Sequence, residues 1–330
     1  MEKVRGGFFN CYTSANATIL KHYNINPYMI FANGWSFTYE DKIICGHNII
    51  GCKVGTYIDK MNMQLEKDIK LSIKNIKKIY KENALPHVKE ALSKGIMVGY
   101  WGYSFWCPWS QFYKNSKDDV HYFLITGIDK DTGAFLCMDT SYNTDNELLD
   151  IEHFLNGFIE VNIYEKLEEN SKIYADQLLQ NAVVRLFSER NNAFDQMRMF
   201  SYDVRNKFDF NREIGSYSNS IASPLLLNLK EVSTGRKGLA CLLDSTDGFL
   251  YEIPDLDKEQ ISKELKGFAL SWEKVRLGLI KCRFDQEKKK YINKVADDID
   301  EIILEEYNTA LKLKDIFELN ENRSYDEKVC

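Results

Sequence analysis

The stretch that decides the fold is His121–Asp139, HYFLITGIDKDTGAFLCMD. Two apolar runs, 121–128 and 134–139, flank Asp129-Lys130-Asp131-Thr132-Gly133. Asp and Gly between β-rich runs are hairpin chemistry, with Gly133 available for a positive φ. The strands are therefore expected to run antiparallel, His121 opening one and Asp139 closing the other. With the turn centred near residues 131–132, the two side chains fall within a residue or two of facing each other. An Asp so placed can accept the Nδ1 proton of the imidazole and leave Nε2 for a third group.

Outward from the hairpin, residues 96–101 (IMVGYW) and 158–164 (FIEVNIY) read as further strands. Ile69, Leu71 and Ile73 alternate with Lys70, Ser72 and Lys74, which favours a strand. The same residues also fit a helix, with Lys67, Lys70, Lys74, Lys77, Lys78 and Lys81 on one face. The strand is preferred, followed by a helix ending near Lys94-Gly95. Asn10 is placed to cap a helix that buries Ala15, Ile19, Leu20 and Tyr23. Residues 56–67 read as helical, with Tyr57, Met61 and Leu65 in phase. Helical periodicity dominates 171–200, 222–241 and 257–318, with Pro254 and Asp255 at the entry to the last stretch. The expectation is α+β: an antiparallel sheet domain over 1–168 and a helical domain over 169–330.

The 330 residues suit two domains. A net charge of -6 disfavours a general nucleic-acid binder. No run of about eighteen apolar residues suggests a membrane span, and Met1–Asn10 lacks the apolar core of a signal peptide. Eight cysteines without a repeating spacing read as reduced thiols, so a cytoplasmic location is expected.

Thiol catalysis needs a thiolate, a base, and a group that holds the base in one orientation. A thiolate in the first turn of a helix is favoured by unpaired backbone N–H groups and the positive end of the dipole. Cys11 occupies that position. It is the candidate nucleophile, His121 the candidate base and Asp139 the candidate orienting group. Each alone says little, because free cysteine is usually a buried small hydrophobe and strand histidines are usually structural. Their order and context carry the reading.

Other residues rank lower. Cys107, before Pro108, is not at a helix start. Cys45, His47 and Cys52 make a C-x-H-x4-C cluster without an evident fourth ligand, so no metal site is expected. Trp101, Tyr103, Phe105, Trp106 and Trp109 crowd the segment before His121; they suit either the wall of an acyl channel or a core cluster under a loop. The lysine stripe of 67–81 could dock an acidic carrier protein and the acidic run Asp297–Glu306 could attract an amine. Both are more commonly solvated faces.

The segment GGFFNCYTSANATILKHYNINPYMIFANGWSFTY, with Cys11 at its helix start, resembles the start of the butirosin biosynthesis protein H family. The step Lys21-His22-Tyr23-Asn24 and the thinned Gly-rich run Asn33-Gly34-Trp35-Ser36-Phe37 match that family's pattern in order. VHYFLITGIDKDTGAFLCMDT is similar to its His- and Asp-bearing strands. The resemblance covers the front half of the chain. It implies a papain-like, C39-peptidase-like fold with Cys11, His121 and Asp139 as the triad. It also implies an acyltransferase that moves an acyl group from a carrier-protein thioester to an amine, forming an amide in antibiotic or nonribosomal peptide assembly. Residue usage heavy in Lys, Ile, Asn and Tyr evokes within that family the closthioamide-type amide synthases, whose acceptor is a short diamine.

The implied partners are an acyl or peptidyl carrier protein and a small amine, with neither nucleic acid nor membrane. No cofactor is implied beyond the carrier's phosphopantetheine, and the helical half would serve as a lid. Two positions depart from the pattern: Val120 stands where a glycine commonly precedes the histidine, and Arg5 where papain-like peptidases place a glutamine. The oxyanion donors would then be the backbone N–H of Cys11 and the Asn10 side chain. A peptidase, amidase or thioesterase of the same fold is the alternative.

Overall fold

The computed structural model describes residues 2–4, 7–40, 49–61, 66, 71–115, 117, 119–166, 174–188, 192–217, 219–246, 257–283 and 288–329. The chain divides into two compact units. The first is Met1–Ile30 with Asn62–Ser171; the second is Phe31–Met61 with Lys172–Cys330. The late boundary falls within three residues of the expected one. Residues 31–61 belong with the helical unit, however, whereas the sequence reading kept them with the sheet.

The first unit contains helix α1 (Cys11–His22), strand β1 (Leu71–Lys77), α2 (Lys81–Ser93), β2 (Val98–Tyr103), β3 (Val120–Ile128), β4 (Phe135–Asp139), β5 (Thr144–Leu149), α3 (Ile151–Gly157) and β6 (Phe158–Lys166). The six strands form one antiparallel sheet in the order β1-β6-β2-β3-β4-β5. The ambiguous lysine-rich segment is a strand: β1 pairs with β6 from Leu71↔Lys166 to Lys77↔Glu160. Lys67 and Lys70 of the supposed stripe lie outside the described residues. The hairpin turn forms as expected. Gly133 has φ +72°, and Asp129 Oδ1 accepts from the Thr132 N–H at 2.9 Å.

One face of the sheet packs Val98, Tyr100, Phe123, Ile125, Val161 and Ile163 against apolar residues of α2 and α3, among them Val88 and Phe154. α1 packs against β3. Every residue from Tyr12 to Leu20 is buried, so α1 is a central helix with no solvent face. Its polar side chains therefore need internal partners. Ser14 Oγ donates to the Val4 carbonyl at 2.6 Å, and Thr18 Oγ1 accepts from the Val4 N–H at 3.0 Å.

The second unit holds α4 (Ala175–Leu186), α5 (Ala193–Lys207), α6 (Pro224–Ser245), α7 (Lys258–Lys281) and α8 (Lys288–Val329). The helical stretch expected over 257–318 is made of two helices, α7 and α8. Pro254 and Asp255 lie outside the described residues, as do 62–65 and 67 of the expected helix 56–67, of which Tyr57–Lys60 is a 3₁₀ turn. Gly34 meets α6 backbone to backbone. A Cβ on Gly34 would sit 2.2 Å from the Gly235 carbonyl oxygen, so only glycine permits that approach.

The centre of the second unit is charged. Glu306, fully buried, accepts from Trp35 Nε1 and Trp272 Nε1, both at 2.8 Å, and from Arg236 Nε and Nη2 at 3.2 and 3.1 Å. Arg236, also fully buried, donates on to the Ser36 carbonyl at 2.6 Å. The run Asp297–Glu306 is largely the solvated face its composition suggested, with Asp297, Asp300, Glu301 and Glu305 exposed, and Glu306 is the exception. Asp297 and Asp300 pair with Arg205 at 2.8 and 2.9 Å, and Glu306 faces inward.

Candidate active site

Cys11 is the first residue of α1, and a capping box puts it there. Asn10 Oδ1 accepts from the Thr13 N–H at 2.8 Å, and Thr13 Oγ1 accepts from the Asn10 N–H at 2.9 Å. The Asn10 side-chain oxygen therefore works as a helix cap, while the oxyanion reading would use its amide nitrogen. Arg5 lies outside the described residues.

A line of buried hydrogen bonds ties α1 to the sheet. Tyr164 donates its hydroxyl to Asn16 Oδ1 at 2.7 Å, since a carboxamide oxygen only accepts. The Tyr164 oxygen then accepts from the Tyr122 hydroxyl at 2.9 Å, and Tyr122 from Asn162 Nδ2 at 3.3 Å. Asn162 Oδ1 accepts from Asn75 at 2.8 Å, so β1, β6, β3 and α1 are joined in series. The Asn16 amide returns to the Tyr12 carbonyl at 2.8 Å, beside Cys11. No motif announced this network. Its only signal in the sequence was Asn16 inside an otherwise apolar helical phase.

His121 and Asp139 sit on adjacent strands. Leu124 pairs with Met138, so Asp139 is level with Phe123, one diagonal step from His121 on the same face. His121 Nε2 donates to Asp139 Oδ2 at 2.6 Å. This reverses the expected ring orientation. Across the diagonal the farther nitrogen reaches the carboxylate, which leaves Nδ1 for the thiol. Cys11 is half-buried and close enough to His121 to help raise the pKa of that ring.

The electrostatics follow from these contacts. Burial works against a charged His121 ring, but the hydrogen bond to Asp139 and the nearby Cys11 more than offset it and raise its pKa to about 9. Burial likewise opposes ionisation of Asp139. Hydrogen bonds from His121, Trp109 and the Tyr142 N–H nonetheless hold its carboxyl below the usual range. Asp139 is fully buried with four donors: Oδ2 accepts from His121 and from Trp109 Nε1 at 2.8 Å, and Oδ1 from the Ser141 and Tyr142 N–H groups at 2.9 and 3.2 Å. Burial pushes the Cys107 thiol well up.

The aromatic segment does not form one wall. Trp101 stacks on Tyr12 at 5.4 Å. Tyr103 lies under the Lys78 ammonium at 5.0 Å. Trp106 meets His153 edge-on at 5.5 Å. Trp109 bonds Asp139, as above. Trp101 thus lies beside Tyr12, the neighbour of Cys11, and Tyr103 pairs through its backbone with Val120, the neighbour of His121.

Of the C-x-H-x4-C cluster, Cys52 is buried in a one-turn helix (Ile50–Lys53), and Cys45 and His47 lie outside the described residues. Among the described residues, no group of three or more His, Cys, Asp and Glu side chains is gathered for a metal ion, and no helix is long and apolar enough to cross a membrane. Compared with protein-family models and with curated proteins, the chain matches none.

Proposed function

We propose that this protein is a cysteine acyltransferase that forms amide bonds from thioesters. The observation that carries the reading is the His121–Asp139 hydrogen bond beside Cys11, in which a buried carboxylate with four donors backs a ring that favours its protonated form. Such a ring sustains a thiolate–imidazolium pair. A helix bearing the cysteine, followed by antiparallel strands bearing histidine and aspartate, also supports a papain-like arrangement.

In the proposed reaction the Cys11 thiolate attacks the thioester carbonyl carbon. The pantetheine sulfur leaves with its bonding pair and takes the proton from His121 Nδ1, giving an acyl-Cys11 enzyme and a free thiol. Exchange of one thioester for another is nearly isoenergetic and needs no ATP. The neutral ring then removes a proton from an incoming amine as its nitrogen attacks the acyl carbon. Collapse expels the Cys11 thiolate and restores the ion pair, leaving the amide. The acyl donor is proposed to ride on an acyl or peptidyl carrier protein in the cytoplasm, with a small amine, such as a short diamine, as acceptor.

The test is intact-mass spectrometry after incubation with an acyl-pantetheine thioester. A single acyl adduct is expected on the wild type, none on Cys11→Ala, and amide on addition of amine. An adduct on another cysteine would refute the assignment. Free acid whatever amine is offered would point to the thioesterase or peptidase alternative.

A further inference from the structure

We propose that Trp109 is a positioning residue of this site, whose indole N–H divides the charge of Asp139 Oδ2 with His121 and so sets how readily that ring takes and gives its proton. The proposal rests on the acyl-transfer reading for its rate measurement only.

Three observations carry it. Both donors converge on one oxygen, at 2.6 Å from His121 and 2.8 Å from Trp109. The other oxygen is already held by two backbone N–H groups, so the carboxylate keeps its orientation without the indole. Trp109 is also delivered by a chain excursion over residues 104–119, between strand ends that pair as Tyr103↔Val120. Excursions of that length without regular strands or long helices are uncommon in compact domains unless they serve a site.

The excursion is fastened twice just after Trp109. Ser110 Oγ and Tyr142 OH lie 3.2 Å apart, and Tyr113 OH meets His153 Nε2 at 3.1 Å. The indole packs edge-on against Phe123 at 5.0 Å. Its N–H is therefore aimed at the carboxylate by packing on one side and by the fastened chain on the other.

A carboxylate oxygen that serves two donors offers each less negative charge than it would offer one. Removing the indole N–H should concentrate that charge on the His121 bond. The ring would then hold its proton more tightly and be neutral less often when an amine needs deprotonating. The groups facing His121 are few. Asp139 comes from β4 and Cys11 from α1. The Tyr142 ring, from the turn after β4, stands 5.4 Å away, and Phe123 lies on its own strand. Cys107, in the excursion, keeps its proton because burial raises its pKa.

The experiment uses the full chain with labelled histidine and two changes at position 109. Trp109→Phe keeps an aromatic ring without a donor. Site-specific β-(3-benzothienyl)alanine keeps the bicyclic volume and replaces the N–H by sulfur, and decides the matter if Trp109→Phe does not fold. In both, the NMR titration midpoint of His121 is expected to rise by about half a pH unit. Aminolysis of the acyl-enzyme at pH 7.5 should slow about threefold, with the acylation burst unchanged. An unchanged or lowered His121 midpoint overturns the proposal. A weaker KM for the acyl donor without a midpoint change would return Trp109 to the role of an acyl-channel wall. A raised midpoint in a protein that forms no acyl adduct would sink the acyltransferase reading and leave the positioning role standing.

Discussion

Tyr164 on β6 donates its hydroxyl to Asn16 on α1 at 2.7 Å, and the two residues stand 148 positions apart in the chain. Through this bond the far strand of the sheet fixes the helix whose first residue is Cys11. Tyr164→Phe would leave Asn16 Oδ1 and the Tyr122 hydroxyl each short of a buried partner, a loss of about 1–3 kcal/mol. Urea unfolding should register it, and alkylation of Cys11 should lose its uniform rate as α1 loosens. Wild-type stability in this variant would show that the line of bonds does not hold the helix.

Iodoacetamide should label Cys11 first. Cys107 and Cys137 are buried and their thiols are pushed up by burial, so neither offers much thiolate. Peptide mapping after a brief reaction at pH 7.5 is expected to place nearly all of the label on residue 11. Equal labelling of Cys107 would contradict the burial described.

Stability should fall on the alkaline side. His121 has a folded pKa of about 9, above its unfolded value near 6.5. The charged ring therefore stabilises the folded state fully below pH 6.5, and that contribution disappears as pH rises through about 9. Its full size is roughly 3 kcal/mol. The urea midpoint should decline across this window in the wild type and much less in His121→Gln. Equal slopes would show that the ring is not held protonated.

Glu306→Ala should be far more damaging than a surface change. It leaves the Arg236 guanidinium buried without its carboxylate and two indoles without an acceptor. Breaking a buried pair in this way costs about 3–5 kcal/mol, whereas Glu306→Gln retains acceptor capacity and should be milder. Thermal unfolding of the two variants measures the difference. Equal melting temperatures would mean that the lost charge, rather than the hydrogen-bond count, sets the damage.

The residues that could be read were those whose environment is local. The hairpin 121–139 announced itself by two apolar runs around Asp and Gly, and α1 by its cap and its period. β5 could not be read: Thr144, Asp145, Asn146 and Glu147 sit on an exposed edge strand, where no alternation is demanded. Glu306 was read as surface because composition sees its acidic neighbours and not the two tryptophans that reach it from residues 35 and 272. The imidazole orientation depended on a diagonal register, which is finer than the residue or two that turn counting allows. The placement of residues 31–61 was silent for the same reason, since Gly34 meets Gly235 across 201 positions and nothing near either residue signals the other.

That last placement bears on how the chain is made. Each unit is assembled from two stretches of sequence, and the stretches alternate: first, second, first, second. A polypeptide emerging from the ribosome would present Cys11 early, but its histidine only 110 residues later. Residues 31–61 must wait longer still, for helices that begin beyond residue 172. The thiol thus spends about a third of synthesis without His121, and the early segment of the helical unit waits longer for its core. Translation of the intervening chain, at about 5–20 residues per second, is far slower than closing such loops, so synthesis sets the wait. A chain released at residue 171 would carry every residue of the candidate site together with 31 residues stripped of their packing partners, a burden that favours aggregation over a working fragment.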